Sequence, residues 1–404
     1  MILHVSKDDR FILSAISIFE KVNPQNNKYV VWKSPRKYTL PTYFIKFWIN
    51  KDNYILSFPK IKNLNPNNLD SAGENNSFTT LATYGSDAFF KEIGDITQYN
   101  AIIFHSLIYN HAKILKTILK RIDIPIVWIP YGYEIHNMLP EFKKTLFQFE
   151  TLKYIRKNRS GQSSNIVLLE NLKAQIIKEA IKMTDICAVP ILEEFVYYKT
   201  QLNLKAQFEW FSYYPIEQIS EINNHILKGN NILVGNSSTP TNNHLEVFSR
   251  LKSMELDDRK IIAPLNYGNK NYAKNIAIVG KKYFGDKFQS IDEFLSLPEY
   301  NKIICTCKIA IMNHNRQQAF GTILGLIWFG LKVFLNENNS IYQYLKRIGV
   351  CVFSFEKEFD TNAFDELNHQ QIQKNKQILF EEFSEKTICQ RTKVLIEKIM
   401  ELQK

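Results

Sequence analysis

The sequence predicts an α/β protein built from two Rossmann-like, doubly wound domains that face one another across a central cleft. Three observations carry this: a length of 404 residues, short apolar runs alternating with helix-period stretches in both halves, and a fresh strand-loop-helix start at Asn231. A chain of that length exceeds one ordinary hydrophobic core, so two or three domains are expected. With 45% hydrophobic residues it can fill them, and 14 Gly and 13 Pro without a long biased tract exclude a fibrous or disordered protein.

In the first half, Ile2–Val5, Tyr29–Trp32, Tyr54–Phe58, Ala101–Phe104, Ile126–Ile129 and Ile186–Val189 read as strands. Phe11–Val22, His111–Ile122 and Leu192–Leu202 read as helices between or after them, an alternation that implies a parallel sheet covered by helices. A polar stretch after Tyr214-Pro215 reads as a connection. The first domain is therefore assigned to residues 1–215 and the linker to 216–230.

The second domain, 231–369, opens with NILVGNSSTPTNNH (Asn231–His244). Ile232, Leu233 and Val234 suit a buried parallel strand, Gly235 and the polar cluster end it, and Asn242 or Asn243 can cap the helix that follows. Backbone amides at such a helix start favour an anion, so the loop is a candidate phosphate cradle; the plainer alternative is an ordinary strand-to-helix turn. Further strands are expected at Lys260–Ala263, Ile309–Met312, Lys332–Leu335 and Val350–Phe353. Helices are expected at Leu245–Met254, Tyr272–Tyr283, Phe294–Cys305, Thr322–Phe329 and Ile341–Ile348. Residues 370–404 read as a terminal helix that packs back across the hinge. In such folds, ligands bind at the carboxyl ends of the strands.

The longest apolar runs, around Ile102–Ile108 and Ile323–Phe329, fall far short of the ~20 residues a membrane span needs, and the start MILHVSKDDR lacks the pattern of a signal peptide. Five scattered cysteines (Cys187, Cys305, Cys307, Cys351, Cys389) fit reduced thiols in a cytoplasm. The net charge of +11 makes an anionic partner plausible: nucleic acid, a phosphorylated small molecule or a membrane face. A solvated basic surface is the plainer account. Glu141–Arg159 interleaves Phe142, Leu146, Phe147, Phe149, Leu152 and Ile155 with six basic residues. It reads as one helix, either core-packed with a basic face or lying on an anionic bilayer through Lys143, Lys144, Lys153 and Arg156.

The second half offers three ligand segments at strand ends. In NRQQAFGT (Asn315–Thr322), Arg316 can pair bidentately with a phosphate, Gln317 or Gln318 can bond a sugar or base, and the Gly321 and Thr322 amides suit a diphosphate. APLNY (Ala263–Tyr267) brings Pro264 and Tyr267 to the same rim, Tyr267 either stacking on a base or merely packing. LNEN (Leu335–Asn338) places Asn336 and Asn338 where sugar hydroxyls or a plain turn would use them.

In the first half, His105 follows one strand, and Glu134 and His136 follow another in IPYGYEIH. A carboxylate and an imidazole at one rim are the usual materials of general base catalysis. Glu134 is the first choice as base, because Gly132 lets the backbone turn and present it. His105 and His136 are the further candidates, with the structural role commoner for a lone histidine. His4 and Asp8 would shape the same floor. No P-loop, G-x-G-x-x-G, G-x-S-x-G or H-E-x-x-H motif occurs, nor an Asp-x-Asp pair, so a metal-free mechanism without a cofactor is expected.

Taken in order, ILVGNS (Ile232–Ser237) with Asn243-His244, Pro264 with Tyr267, RQQ-x-x-GT (Arg316–Thr322) and LN-x-x-N resemble one family over about residues 231–340. It is the bacterial transferase that moves 4-acetamido-4,6-dideoxygalactose (N-acetylfucosamine) from its dTDP derivative to lipid II, a lipid-linked intermediate of enterobacterial common antigen. The first half is looser. Ile2–Val5 resembles the family's opening strand with its His, Phe104-His105 its F-H-G segment, and Tyr131–Glu134 its W-G-A-D. Here Tyr131 stands for Trp, Glu134 for Asp and Ser106 for Gly, which leaves an acid at the candidate base position.

The resemblance implies a GT-B architecture, with the donor nucleotide on the second domain and the acceptor on the first. It implies a metal-independent glycosyltransferase of hexosyl type, cytoplasmic and peripheral on the inner face of the plasma membrane, with no nucleic-acid partner. In that reading Gly235, Asn236, Ser237, Pro264, Tyr267, Arg316, Gln317, Gln318, Gly321, Thr322, Asn336 and Asn338 face the donor, while Gly132 and His136 face the acceptor. Two alternatives stand beside it: a sugar-nucleotide 2-epimerase of similar fold, and a non-catalytic basic binding protein.

Overall fold

A computed structural model describes residues 1–7, 10–32, 78–81, 86–158, 164–220, 227–360 and 363–402. Its first sheet has seven parallel strands: β1 Ile2–Lys7, β2 Asn27–Trp32, β3 Phe78–Leu81, β4 Ala101–His105, β5 Ile126–Ile129, β6 Ile186–Ala188 and β7 Gln207–Glu209. They lie in the order β3-β2-β1-β4-β5-β6-β7. The second sheet has six: β8 Asn231–Val234, β9 Ile261–Pro264, β10 Phe288–Ile291, β11 Cys307–Met312, β12 Lys332–Leu335 and β13 Phe353–Ser354. Their order, β10-β9-β8-β11-β12-β13, repeats the doubly wound pattern of the first.

Both sheets need apolar strands because helices cover both faces, and β1, β4, β5 and β12 are buried along nearly their whole length. Leu3, Val5, Phe104, Ile126 and Trp128 pack on one side of the first sheet against Ala174 and Ile177. Ile2, Tyr29 and Ile103 pack on the other against Ile12 and Phe19. The strand order switches direction between β1 and β4, and again between β8 and β11, while every strand stays parallel. These are the two places where a crevice opens at the strand ends.

The terminal segment is two helices, not one. Asn368 caps His369–Phe383 through Gln371, and Ser384 then caps Glu385–Glu401 through the Thr387 amide, so a serine with extended backbone breaks the run. The first helix lies on Phe320–Phe329 in the second domain. The second returns to the first domain, where Ile388, Leu395 and Ile399 join Ile12 and Phe19, and Lys21 pairs with Glu385.

Glu141–Arg159 likewise departs from a single helix. Pro140–Lys143 and Phe149–Lys157 are separate, because the Gln148 amide turns away to the Asn243 side chain; Arg159 lies outside the described residues. The expected strand Tyr54–Phe58 and Asp8 also lie outside them, and β3 holds the edge position. Short edge strands β7 and β10, half-exposed, and the helix Ser164–Ile181 are elements the periodicity did not reveal. Helix Phe320–Phe329 begins two residues before the expected Thr322, because Ala319 takes a left-handed backbone (φ 57°) at the cap. The five cysteines are free, and no described helix is long and apolar enough to cross a membrane.

Candidate active site

The crevice of the second domain is lined by the loop after β8 and the loop after β11. Gly235 (φ 70°) is required between them: a Cβ there would lie 2.7 Å from both Asn242 Oδ1 and His244 Nε2. The loop is held by its own side-chain hydrogen bonds. The Asn236 amide donates to Asn242 Oδ1 (2.9 Å), its side-chain Nδ2 donates to the Tyr267 hydroxyl (2.8 Å), and its Oδ1 accepts from Gln318 Nε2 (3.2 Å). Thr241 donates to Gln318 Oε1 (2.7 Å), and Ser237 Oγ bonds Thr239 (2.8 Å) and accepts from Asn242 (3.1 Å).

His314, which the sequence reading passed over, is the buried hub of this loop. Its Nε2 faces the Asn236 and Asn242 carbonyl oxygens at 3.1 and 2.9 Å, so that nitrogen carries the hydrogen. Its Nδ1 is enclosed and has no hydrogen-bond partner among the described residues. Burial, with Arg316 and His244 nearby, brings its pKa down to about 3, and burial alone does the same to His244. Both rings are neutral at physiological pH.

Beyond the hub, the chain reaches Arg316, Gln317 and Gln318 and then enters helix Phe320–Phe329. The first amides of a helix have no intrahelical acceptor, and here they belong to Phe320, Gly321 and Thr322. Gly321 faces Tyr214, whose Cδ2 would stand 3.7 Å from a Cβ at that position. Arg316 is half-buried; its Nη1 donates to the Gln317 carbonyl (2.8 Å), while its Nε has no partner among the described residues. An arginine stays cationic through the desolvation that lowers its pKa, and Tyr198, Glu194 and Glu134 oppose that lowering.

Those acids belong to the first domain, so Arg316 spans the cleft. A Cβ on Gly132 (φ 81°) would lie 3.4 Å from Gln317 Oε1 and 3.8 Å from Arg316 Nη1, which sets the Gly132 turn directly against the Arg316–Gln317 segment of the second domain. Gly132 caps the short helix Tyr133–His136. Glu134 is fully buried there: Oε1 accepts from Trp128 Nε1 (3.2 Å) and from the Tyr131 amide (3.1 Å), and Oε2 has no partner among the described residues. Burial raises its pKa against these hydrogen bonds and the charge of Lys7.

His136 and Glu194 form a second buried pair, with Nε2 to Oε1 at 3.0 Å, and Ser340 of the second domain donates to the other Glu194 oxygen. Against the cost of burial, His136 and the Ser340 hydroxyl hold the Glu194 carboxyl below its ordinary range. Gln148 bonds Asn313 (2.8 Å) and Asn315 (2.9 Å), and Thr151 bonds Glu246 (2.6 Å), so the domains are stitched together on both flanks of Arg316.

His105 lies behind the cleft rather than in it. Asn27 Nδ2 donates to Glu20 Oε1 (3.0 Å) and the Asn23 carbonyl (2.7 Å), which leaves its Oδ1 to accept from His4 Nε2 (3.2 Å). His4 Nδ1 then accepts from His105 Nε2 (3.1 Å), and His105 Nδ1 accepts from the Tyr213 hydroxyl (3.1 Å). Burial holds His4 at about 3, and burial with His4 and His111 holds His105 well below its usual value. His105 reaches the cleft only through Tyr213, which stands with Phe11, Tyr131 and Tyr214 in an aromatic wall.

The remaining predicted residues are less concentrated. Pro264 is buried at the end of β9, and Tyr267 is half-exposed above it. Asn336 spends its amide on Asn313 (3.2 Å), Glu356 and the Asn338 backbone (2.9 Å), so it shapes the loop; the Asn338 side chain is exposed. Lys144 is exposed and Lys143 lies 3.9 Å from Glu170, while Lys153 and Arg156 are exposed on helix Phe149–Lys157, which packs against His244–Leu251 of the second domain. Lys7, Tyr213, Tyr214, Glu194 and His314 escaped the sequence reading, because their partners Tyr133, His105, Phe11, His136 and Asn242 lie far along the chain and no local motif marks them.

Solved structures share this whole architecture. Sucrose-phosphate synthase from Thermosynechococcus elongatus aligns with a TM-score of 0.63 at 8% identity, covering 100% of both chains. Anabaena HepE in complex with UDP-glucose aligns at 0.59 and 11%, covering 98% of this chain and 99% of its own. A glycosyltransferase from Rickettsia africae gives 0.58 and 10%, covering 99% and 98%. At such identities the likeness shows the fold, which is GT-B. The family model described as 4-alpha-L-fucosyltransferase, glycosyl transferase group 56, matches residues 182–396, from the last strands of the first domain through the helix that returns to it. That match covers more than half of the sequence, and the chain belongs to this family of glycosyltransferases.

Proposed function

We propose that this glycosyltransferase moves a deoxyamino sugar of the N-acetylfucosamine type from a dTDP-type donor to a lipid-linked saccharide at an anionic membrane surface. The observation that carries the reading is the approach of Arg316 to the Gly132–Glu134 turn across the cleft: a cation with an unused Nε on one side and a buried carboxylate with an unused Oε2 on the other. A protein of the same fold, Anabaena HepE, binds UDP-glucose, which supports a nucleotide-sugar donor.

In this mechanism the donor diphosphate lies against Arg316 and the Phe320, Gly321 and Thr322 amides. There, fixed positive charge stabilises the oxygen that departs with the bonding electrons. The acceptor hydroxyl attacks the anomeric carbon, the bond from that carbon to the diphosphate oxygen breaks, and the hydroxyl proton passes to Glu134 Oε2. Tyr131, Tyr213 and Tyr214 offer flat faces to the sugars, and Tyr213 is oriented by His105. Asn236, Ser237 and Gln318 line the nucleotide side with Tyr267, while Lys143, Lys144, Lys153 and Arg156 meet the headgroups.

A panel of nucleotide sugars screened by thermal shift should show selective stabilisation by dTDP-linked deoxyamino sugars. Glu134→Gln should lower kcat by about 10²–10⁴ while donor stabilisation persists. Because burial raises the Glu134 pKa, the wild-type kcat/KM should fall on the acid side above the ordinary carboxylate value of 4.5, and the variant should lose that limb. Full activity in the variant would return Glu134 to holding the Tyr131 turn. Arg316→Ala should cost roughly 10²-fold in kcat/KM through both donor KM and turnover, and unchanged kinetics would remove the phosphate role.

A further inference from the structure

Helix Ser164–Ile181 changes character along its length. Its second half is anchored: Ala174, Ile177, Ala180 and Ile181 are buried, Lys116 bonds Glu179 (2.6 Å), and Lys178 bonds Glu141 (2.7 Å). Its first half is bare. Every residue from Ile166 to Leu172 is exposed, among them Ile166, Val167, Leu168 (60%), Leu169 and Leu172. Consecutive positions on a helix point in different directions, so these side chains surround the axis and no single protein face would cover them. A contiguous apolar cluster on this scale marks a contact surface.

We propose that this apolar end is the element that enters the bilayer, sinking into the interface of an anionic membrane while neighbouring cations hold the headgroups. The inference rests on the lipid-linked acceptor reading given above. Charge complementarity selects the occupant. Lys144, Lys153, Arg156 and Lys157 are exposed, and Lys143 stands 3.9 Å from Glu170 on the projecting helix itself. Lys157 and Ser164 are separated by a chain that spans at most about 25 Å. Exposed cations on the same part of the molecule as an apolar tip are what an anionic interface attracts.

Position gives the contact a use. The helix leads through a short turn into β6 and runs antiparallel to it, so its free amino end lies towards the carboxyl edge of the first sheet. That edge carries Gly132 and Glu134. A lipid-borne saccharide would therefore enter the cleft from the side that touches the membrane.

Cosedimentation of the full chain with phosphatidylglycerol–phosphatidylcholine vesicles tests this, with phosphatidylcholine vesicles as the uncharged control. The double variant Leu168→Ser/Leu172→Ser should bind anionic vesicles at least about tenfold more weakly, with its nucleotide-sugar thermal shift unchanged. A Leu168→Trp variant should add blue-shifted emission that brominated lipids quench. Equal binding by the double variant and no quenching at position 168 would overturn the inference, yet leave the lipid-linked reading intact if the wild type still binds. Absence of vesicle binding by the wild type would overturn both. A dimer in sedimentation velocity that the double variant abolishes, without vesicle binding, would assign the surface to a second copy instead.

Discussion

Gly235 shows how one residue sets the donor loop. With φ at 70° and two polar atoms where a Cβ would go, only glycine lets β8 end under Asn242 and His244. Gly235→Ala should cost about 1–3 kcal/mol by chemical denaturation and abolish donor-induced stabilisation, because relieving the clash means moving Asn242, which holds the Asn236 amide. A variant with wild-type stability would mean that the loop yields without strain. Asn243, also left-handed (φ 50°), is tolerated by its own chemistry: its Nδ2 donates to the Asn313 carbonyl (2.9 Å) and its Oδ1 accepts from the Gln148 amide (3.0 Å). The sequence offered Asn242 and Asn243 as helix caps; Asn243 does stand at the start of His244–Leu251, but its side chain binds the distant Gln148 and Asn313 backbone, and Asn242 binds the Asn236 amide and the His314 ring.

Among the elements, the last helix, Glu385–Glu401, does the least expected work. It is a late addition to the first domain's core, lying on Arg10–Val22 with Leu395 fully buried beside Ile12 and Phe19. Leu395→Ala should therefore destabilise the first domain by about 2–5 kcal/mol, visible as an earlier transition in urea. An effect confined to the second domain would contradict this packing. Buried parallel strands were legible as apolar runs, because both of their faces are covered. β7 and β10 were not, since an exposed edge relaxes the requirement for apolar residues. Ser164–Ile181 hid for another reason: the consecutive apolar run Ile166–Leu169 in its first half leaves no clear helical period to detect.

For the whole molecule, the notable quantity is the number of neutral histidines enclosed within it. Burial brings His4, His244 and His314 to about 3 and His111 to about 4, from an ordinary value of 6.5. With folded pKa values below unfolded ones, the unfolded chain binds more protons between pH 6.5 and those values. Stability is thus fully present above about 6.5 and lost as pH falls towards and through the folded values, by up to about 1.4 kcal/mol per pH unit for each such histidine. The melting temperature should drop steeply between pH 6.5 and 5, before carboxylates titrate. His244→Gln should make that slope shallower, and an unchanged slope would refute the assignment. His314 holds the Asn236–Asn242 loop and His4 supports the His105–Tyr213 chain, so acid should loosen both crevices.

The sequence by itself determined the two parallel sheets, the strand ends where ligands gather, and the polar segments at those ends. These follow from composition and period, which act locally: buried strands must be apolar, and chain reversals need Gly, Asn and helix caps. Only the tertiary structure decided which of those polar side chains remain available. Asn336 is spent on its own loop, His105 is placed behind Tyr213, and Arg316 is carried across the cleft to Gly132. The physical reason is that a buried hydrogen bond or charge pair is satisfied by whatever lies nearest in space. In two domains closing on one another, that neighbour belongs to a distant part of the chain.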